Sequence, residues 1–290
     1  MKHRVFNILF LLTVTSCQWR DALLRVRDGG SPISYDSGEI DMALEAPISS
    51  DVLPVCLNRP KLDAGTGLGE NLLIWYRCET VWGTMLPDSS GRGHHGTLSS
   101  GAGVSADSAT SITTGKVGNA LALNYNNKGY VTLPQGLLAN ACEVTVAMWV
   151  YINSNANAWT RLWDFGQDTI RYMFMTPITN TDNISRFSIS ISGNQNEETM
   201  KGPAPLPTLT WTHVAVVLDP SGGTLYLDGE PVQTNPTIVL RPPDLGPTVN
   251  NYIGRSQFSD DPYLDASIDE FRLYDRALSH DEVKGLLTAP

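Results

Sequence analysis

Residues 70–290 predict an all-β fold, a sandwich or barrel of antiparallel strands, with one short helix at the C-terminus. Three observations carry this. From Leu72 onward, short runs rich in β-branched and aromatic residues are separated by Gly, Pro, Asn and Asp about every ten residues. Between two such runs lies Asp228-Gly229, a pair tolerant of positive φ and suited to a tight hairpin. No long helix is visible among them.

The elements follow in order. Strands are expected at 71–78, 120–123, 130–133, 144–152, 161–165, 171–175, 186–191, 211–218, 224–227 and 268–274. Residues 224–233 form the hairpin. The polar stretch Asn194 to Lys201 reads as a loop that leaves Glu197 and Glu198 solvated. Ser279-His280-Asp281-Glu282 is a capping box, with Leu278 and Val283 at the staple positions around it, so a short helix follows and lies across one edge of the sandwich. Internal repeats are absent, and about 220 residues is a usual size for one all-β domain.

Ahead of this domain, Lys2, His3 and Arg4 precede the apolar run Val5 to Val14, too short to cross a bilayer permanently. It reads as a secretory signal over residues 1–16. The run ends in Val14-Thr15-Ser16-Cys17, which resembles a bacterial lipobox and makes Cys17 the lipidated N-terminus of the mature chain. Several acyl chains would hold it firmly, each buried CH₂ contributing about 0.8 kcal/mol. Residues 17–69 carry Gly29-Gly30-Ser31-Pro32, scattered acids and Pro47, Pro54 and Pro60 without a sustained apolar period, the composition of a flexible tether. Gln18 rather than aspartate after the cysteine resembles outer-membrane sorting.

The chain has 20 Lys and Arg against 30 Asp and Glu, and removing residues 1–16 takes away two bases and no acid. Nucleic acid is excluded as a partner on this balance, because no basic stripe offsets the repulsion of phosphates. Export leaves Cys56, Cys78 and Cys142 where disulfides persist, which makes one pair and one leftover. Cys56 with Cys78 closes the shortest loop and is the expected pair; spacing leaves the other pairings open. Close C-x-x-C pairs are absent, which argues against zinc.

Five ordered segments carry a family resemblance. They are Leu72-Leu73-Ile74-Trp75-Tyr76 with Asp88-Ser89-Ser90-Gly91-Arg92-Gly93-His94-His95-Gly96-Thr97, then Gly115 to Leu121, Val144 to Val150, Trp211-Thr212-His213-Val214-Ala215 running into Leu225 to Gly229, and Ser267-Ile268-Asp269-Glu270-Phe271-Arg272-Leu273-Tyr274-Asp275-Arg276-Ala277-Leu278-Ser279. Together they resemble the concanavalin A-like lectin and glucanase fold, in particular the bacterial laminin G-like jelly rolls. Trp159 to Gly166 and Asn251 to Gln257 are closer still to a subgroup often attached to polysaccharide-degrading enzymes. The resemblance implies a jelly-roll β-sandwich and a binding role.

Catalysis has no visible basis. The E-x-D-x-x-E or E-x-D-x-E acids of the glucanase branches are missing, as is G-x-S-x-G, and His213 sits inside a strand as a structural residue. Calcium is a more serious prospect, because a glycine-rich turn such as Asp88 to Gly96 can aim carbonyls inward with Asp88 as first ligand. Asp269 would be the second, since strict alternation places it on the face of Phe271 and Leu273. In related laminin G-like modules these two segments commonly share one calcium; the alternative is that both acids cap turn amides. His94 and His95 diverge as neighbours in an extended segment and read as turn packing.

Sugar recognition needs exposed aromatic faces beside polar groups. Trp159 is the expected stacking residue, with Arg161, Tyr172, Asn194 and Arg255 completing the site, while Trp75, Trp149, Trp163 and Trp211 are expected in the core. The reading is therefore a lipid-anchored envelope module binding a glycan or glycosylated partner, with loops shaped by calcium. An adhesive protein contact is the alternative, favoured by an exposed apolar patch. An enzyme ranks third.

Overall fold

Period-two alternation on the two longest central strands builds the middle of the first sheet. Val144–Ile152 and Trp211–Asp219 pair antiparallel so that Val144, Val146 and Met148 stand opposite Leu218, Val216 and Val214, all facing the core. The computed structural model describes Cys56, residues 67–153 and residues 157–288. The expected signal sequence, Cys17 and nearly all of the tether lie outside the described residues. The chain divides into Met1–Ile48 and Ser49–Pro290, and the described residues belong to the second unit.

Two antiparallel sheets enclose one core. The first runs Glu230–Asn235, Gly222–Leu227, Trp211–Asp219, Val144–Ile152, Ala266–Tyr274, Asn119–Leu123 and Thr110–Thr114, with Leu72–Tyr76 also paired to Ala266–Tyr274. The second runs Glu198–Lys201, Arg186–Ser190, Tyr172–Thr176, Trp163–Gly166, Asn250–Ile253, Gly129–Thr132, Gly96–Ser100 and Met85–Leu86. From this second sheet Trp163, Phe165, Met173, Met175, Phe187, Ile189, Val131 and Ile253 fill the space between the layers.

The turn chemistry behaves as read from the sequence. Asp228 and Gly229 take φ of 49° and 82° between the paired residues Leu227 and Glu230, a two-residue hairpin turn with the twist that flanking strands require. At helix His280–Gly285, Ser279 Oγ accepts from Glu282 N while Glu282 Oε2 accepts from Ser279 N. Leu278, Val283 and Leu286 pack with Ala147, Ala215, Tyr226 and Tyr274. The helix therefore covers the outer face of the first sheet rather than an edge, because Ala147 and Ala215 leave room there.

Three expectations are corrected. Cys56 bonds Cys142, with Cα atoms 5.2 Å apart, not Cys78. Cys78 follows the first strand at φ 58°, turns into the core with its thiol directed at the Tyr76 carbonyl, and is 2% exposed, whereas Cys142 sits half-exposed in the loop before Val144. Residues 198–201 form an edge strand, not a loop, because Met200 alternates inward. Finally, Asp269 does not share the face of Phe271. A β-bulge between Asp269 and Arg272, with Glu270 at φ 51°, inserts one residue and turns Asp269 outward opposite Trp149.

Candidate functional site

The outer face of the second sheet carries a pocket of about 310 Å³ lined by Trp159, Arg161, Phe174, Arg186, Asn194 and Glu197, with Thr181, Phe258 and Asp261 at its border. Alternation explains its floor: Met173 and Met175 point to the core, so Tyr172, Phe174 and Thr176 face outward. Trp159 sits in the loop before the strand Trp163–Gly166 at φ 66°, its Nε1 donating to Asn180 Oδ1 at 2.9 Å. The guanidinium carbons of Arg161 and Arg186 lie 5.9 and 5.7 Å from the Trp159 ring centroid.

Each cation here is matched to acid. Arg161, 2% exposed, bonds Asp164 Oδ2 at 3.2 Å and Asp261 Oδ2 at 2.8 Å, and its guanidinium covers Phe174 at 3.9 Å. Arg186 pairs with Glu197, whose other oxygen accepts from Tyr172 Oη at 2.6 Å. Burial raises the Asp164 pKa to about 6 against the opposing pull of Arg161 and the Gln257 amide. The result is three carboxylates around two guanidiniums, with hydrogen-bonding edges beside a flat aromatic face.

Of the five expected ligand residues, the structure gathers Trp159, Arg161 and Asn194 at this pocket. Tyr172 is fully buried, with Phe258 edge-on to its ring at 5.4 Å, and reaches the site only by holding Glu197. Arg255 lies elsewhere on the same face, stacked against Tyr130 and Tyr252 at 4.9 and 4.6 Å and donating to Tyr130 Oη at 3.0 Å. Segment 255–261 separates the two places: Gln257 N donates to Asp164 Oδ2 and Gln257 Nε2 to the Asn250 carbonyl.

Sequence reasoning missed Arg186, Phe174, Glu197, Phe258 and Asp261. The inward Met173 and Met175 held the signal for Phe174. Glu197 and Glu198, expected to be solvated, have partners instead: Glu197 joins Tyr172 to Arg186, and Glu198 Oε2 accepts from the Val239 and Leu240 amides. Nothing local announces such pairings across separate loops.

The first sheet's outer face holds the other conspicuous polar residues, and these are sealed. Trp149 packs edge-on against His213 at 5.2 Å with Lys116 above its ring, and Glu270 binds Arg272 and Trp75 Nε1. His213 is 1% exposed, and burial together with the charge of Arg272 lowers its pKa to about 3. Trp75 and Trp211 are only partly buried, unlike Trp149 and Trp163.

The two acids expected to hold calcium have other partners. Asp88 Oδ1 accepts from Trp75 N and Ser90 N, and Oδ2 from Ser90 Oγ and His94 N. Burial pushes its pKa up, but these bonds outweigh burial and hold it below the ordinary value. Asp269 Oδ2 accepts from Lys116 N and Val117 N, and burial raises its pKa to about 6. Calcium wants six to eight oxygens. Among the described residues no group of three or more His, Cys, Asp or Glu side chains stands together for a metal, and the donor set at Asp88 and Asp269 does not fit calcium.

Residues 125–284, more than half of the chain, match the family described as the concanavalin A-like lectin/glucanases superfamily. No protein of curated function matches. Among solved structures, domain 4 of AbnA, a GH43 extracellular arabinanase from Geobacillus stearothermophilus in complex with arabinotriose, is similar at 23% identity and a TM-score of 0.62, over 75% of this chain and 98% of that one. A botulinum neurotoxin type C structure, whose cell entry depends on two ganglioside molecules, is similar at 13% identity and a TM-score of 0.57, over 76% and 51%. The binding domain of Paraclostridial Mosquitocidal Protein 1 follows at 14% and 0.54, over 76% and 52%. The chain spans about half the length of these two toxin chains, and all three likenesses are of fold. Taken with the two antiparallel sheets and their shared core, the match shows that this chain belongs to the concanavalin A-like lectin/glucanase superfamily.

Proposed function

We propose that the chain is a non-catalytic binding module that captures a neutral sugar residue of a glycan or glycosylated partner in the Trp159 pocket. The observation that carries this is the Arg186–Glu197 pair beside an accessible tryptophan ring: the ring supports the flat face of a sugar, and the pair offers donor and acceptor edges to adjacent hydroxyls. A third carboxylate, Asp164, close behind disfavours an anionic sugar at this position. The arabinotriose bound by the AbnA domain and the gangliosides of the neurotoxin support a sugar ligand. In this proposal the module is carried on lipid at Cys17 in the bacterial outer membrane, and residues 17–69 give it reach.

Turnover is not part of this reading. Glu197 and Asp261, the acids at the pocket, are each tied to an arginine and a hydroxyl group, which leaves neither poised as a free acid or nucleophile. A protein contact is the second reading, favoured by Ile170 and Ile191, which are 52% and 41% exposed on loops joined by the Gly193 amide and the Ile170 carbonyl. Calorimetric titration with neutral oligosaccharides, arabinotriose first, tests the proposal. Binding that is lost in Trp159→Ala, with the melting temperature kept, is expected. Absence of binding across neutral glycans would sink the sugar reading.

A further inference from the structure

We propose that the cluster around Arg255 is a second binding station, and that it takes an acidic sugar residue bearing a carboxylate. Tyr252 and Tyr130 stand half-buried on adjacent strands of the same outer face, with ring centroids 5.8 Å apart, and Tyr263 lies 5.9 Å from Tyr130. Arg255 is held against the first two rings, and the ammonium of the exposed Lys128 lies 5.7 Å over Tyr263. Two cations thus converge on one aromatic platform.

What distinguishes them is the lack of acid. Arg161 and Arg186 on this face are each matched to carboxylates, whereas no carboxylate among the described residues pairs with Arg255 or Lys128. The chain carries a net charge of −10, yet neither of these two cations meets an acid within ion-pair distance. A guanidinium fixed by its stacking and its bond to Tyr130 presents its remaining N–H groups in the fork geometry that a carboxylate accepts. The half-buried tyrosine faces support the ring that bears it.

The station is separate from the Trp159 pocket. Phe174 pairs with Asp164, and Asp164 with Tyr252, so the two floors are two strands apart, about 10 Å at ordinary strand spacing. Segment 255–261 stands between them. The acid excess of the first pocket repels the sugar that the second attracts, and the assignment holds whether or not the first pocket binds sugar.

Calorimetric titration of the full chain with oligogalacturonate tests this, with its methyl-esterified form, a sulfated galactan of equal length and a neutral arabinan oligosaccharide as comparisons. Oligogalacturonate is expected to bind at least tenfold more tightly than its ester, to weaken as salt rises, and to lose at least fivefold in Arg255→Gln and in Lys128→Gln while keeping its affinity in Trp159→Ala. Lys128 is exposed and its ammonium makes no hydrogen bond among the described residues, so Lys128→Gln keeps the test sound should Arg255→Gln fail to fold. The proposal falls on any of four results: no binding, equal binding of ester and free acid, tighter binding of the sulfated galactan, or native affinity in Lys128→Gln. The neutral oligosaccharide reads the first pocket alone, so failure of one station is distinguishable from failure of the other.

Discussion

The outer faces of the two sheets make an instructive pair. On the first sheet, Trp149, His213, Asp269, Glu270 and Arg272 are each 5% exposed or less, and helix His280–Gly285 covers the part of the face around Ala147 and Ala215. On the second, Trp159, Arg186, Glu197 and Tyr252 stay partly open to solvent. Both faces combine aromatic rings with charged groups, so composition does not tell them apart. The difference lies in closure. Where strand-borne groups bond one another beneath a covering loop or helix they serve stability, and where the cover stops they remain available to a ligand.

Breaking the sealed face should have the largest effect. Glu270→Ala leaves the guanidinium of Arg272, itself 3% exposed, without its acid, and a buried pair broken on one side costs about 3–5 kcal/mol. Denaturant unfolding should show this loss, with glycan affinity of the folded fraction unchanged; lost affinity at native stability would reverse the roles assigned to the two faces. Cys142→Ser should cost about 2–4 kcal/mol by freeing a crosslink across a sequence separation of 86. Non-reducing peptide mapping checks the Cys56–Cys142 pairing directly.

On the open face the expected losses are smaller and appear in binding. Arg186→Ala should weaken a neutral glycan by about tenfold, or about 1.4 kcal/mol, with a shift of only a few degrees in melting temperature. A collapse in stability would instead class Arg186 with the sealed groups. Smaller again is a pH effect. The folded-state pKa of His213, about 3, lies below its ordinary 6.5, so the folded state resists protonation and stability falls as pH drops from 6.5 toward 3. Asp269 is raised to about 6 and acts in the opposite sense, gaining stability as pH falls from 6 toward 4. His213→Phe should therefore lose less stability than the native chain between pH 6 and pH 4. Exchanging calcium for a chelator should leave the melting temperature unchanged; a rise with calcium would return the metal to the Asp88 turn.

The fold was legible because its signals are local. Alternation in Val144–Ile152, the Asp228-Gly229 turn and the Ser279 capping box each depend on neighbours in sequence, and each appears in the structure where expected. Weakly apolar edge strands such as Thr110–Thr114 and Glu198–Lys201 were invisible because pairing with a neighbour, not their own pattern, makes them strands. The site was half legible. Trp159 and Arg161 stand out in a short loop, but Glu197 is recruited from 36 residues beyond Arg161 through Tyr172, a contact that only the folded sheet creates. Asp269 misled because one inserted residue reverses every inference drawn from alternation.

That insertion also supplies the acid of the sealed pair. The side chains of Asp269 and Arg272 both face outward, with Glu270 as an extra step between them. Deleting this residue would restore a regular two-residue beat with Asp269 and Arg272 still outward and Phe271 still inward, but it would take away the carboxylate that holds the Arg272 guanidinium and the Trp75 indole. A shorter strand would thus keep its faces and leave a buried cation unanswered.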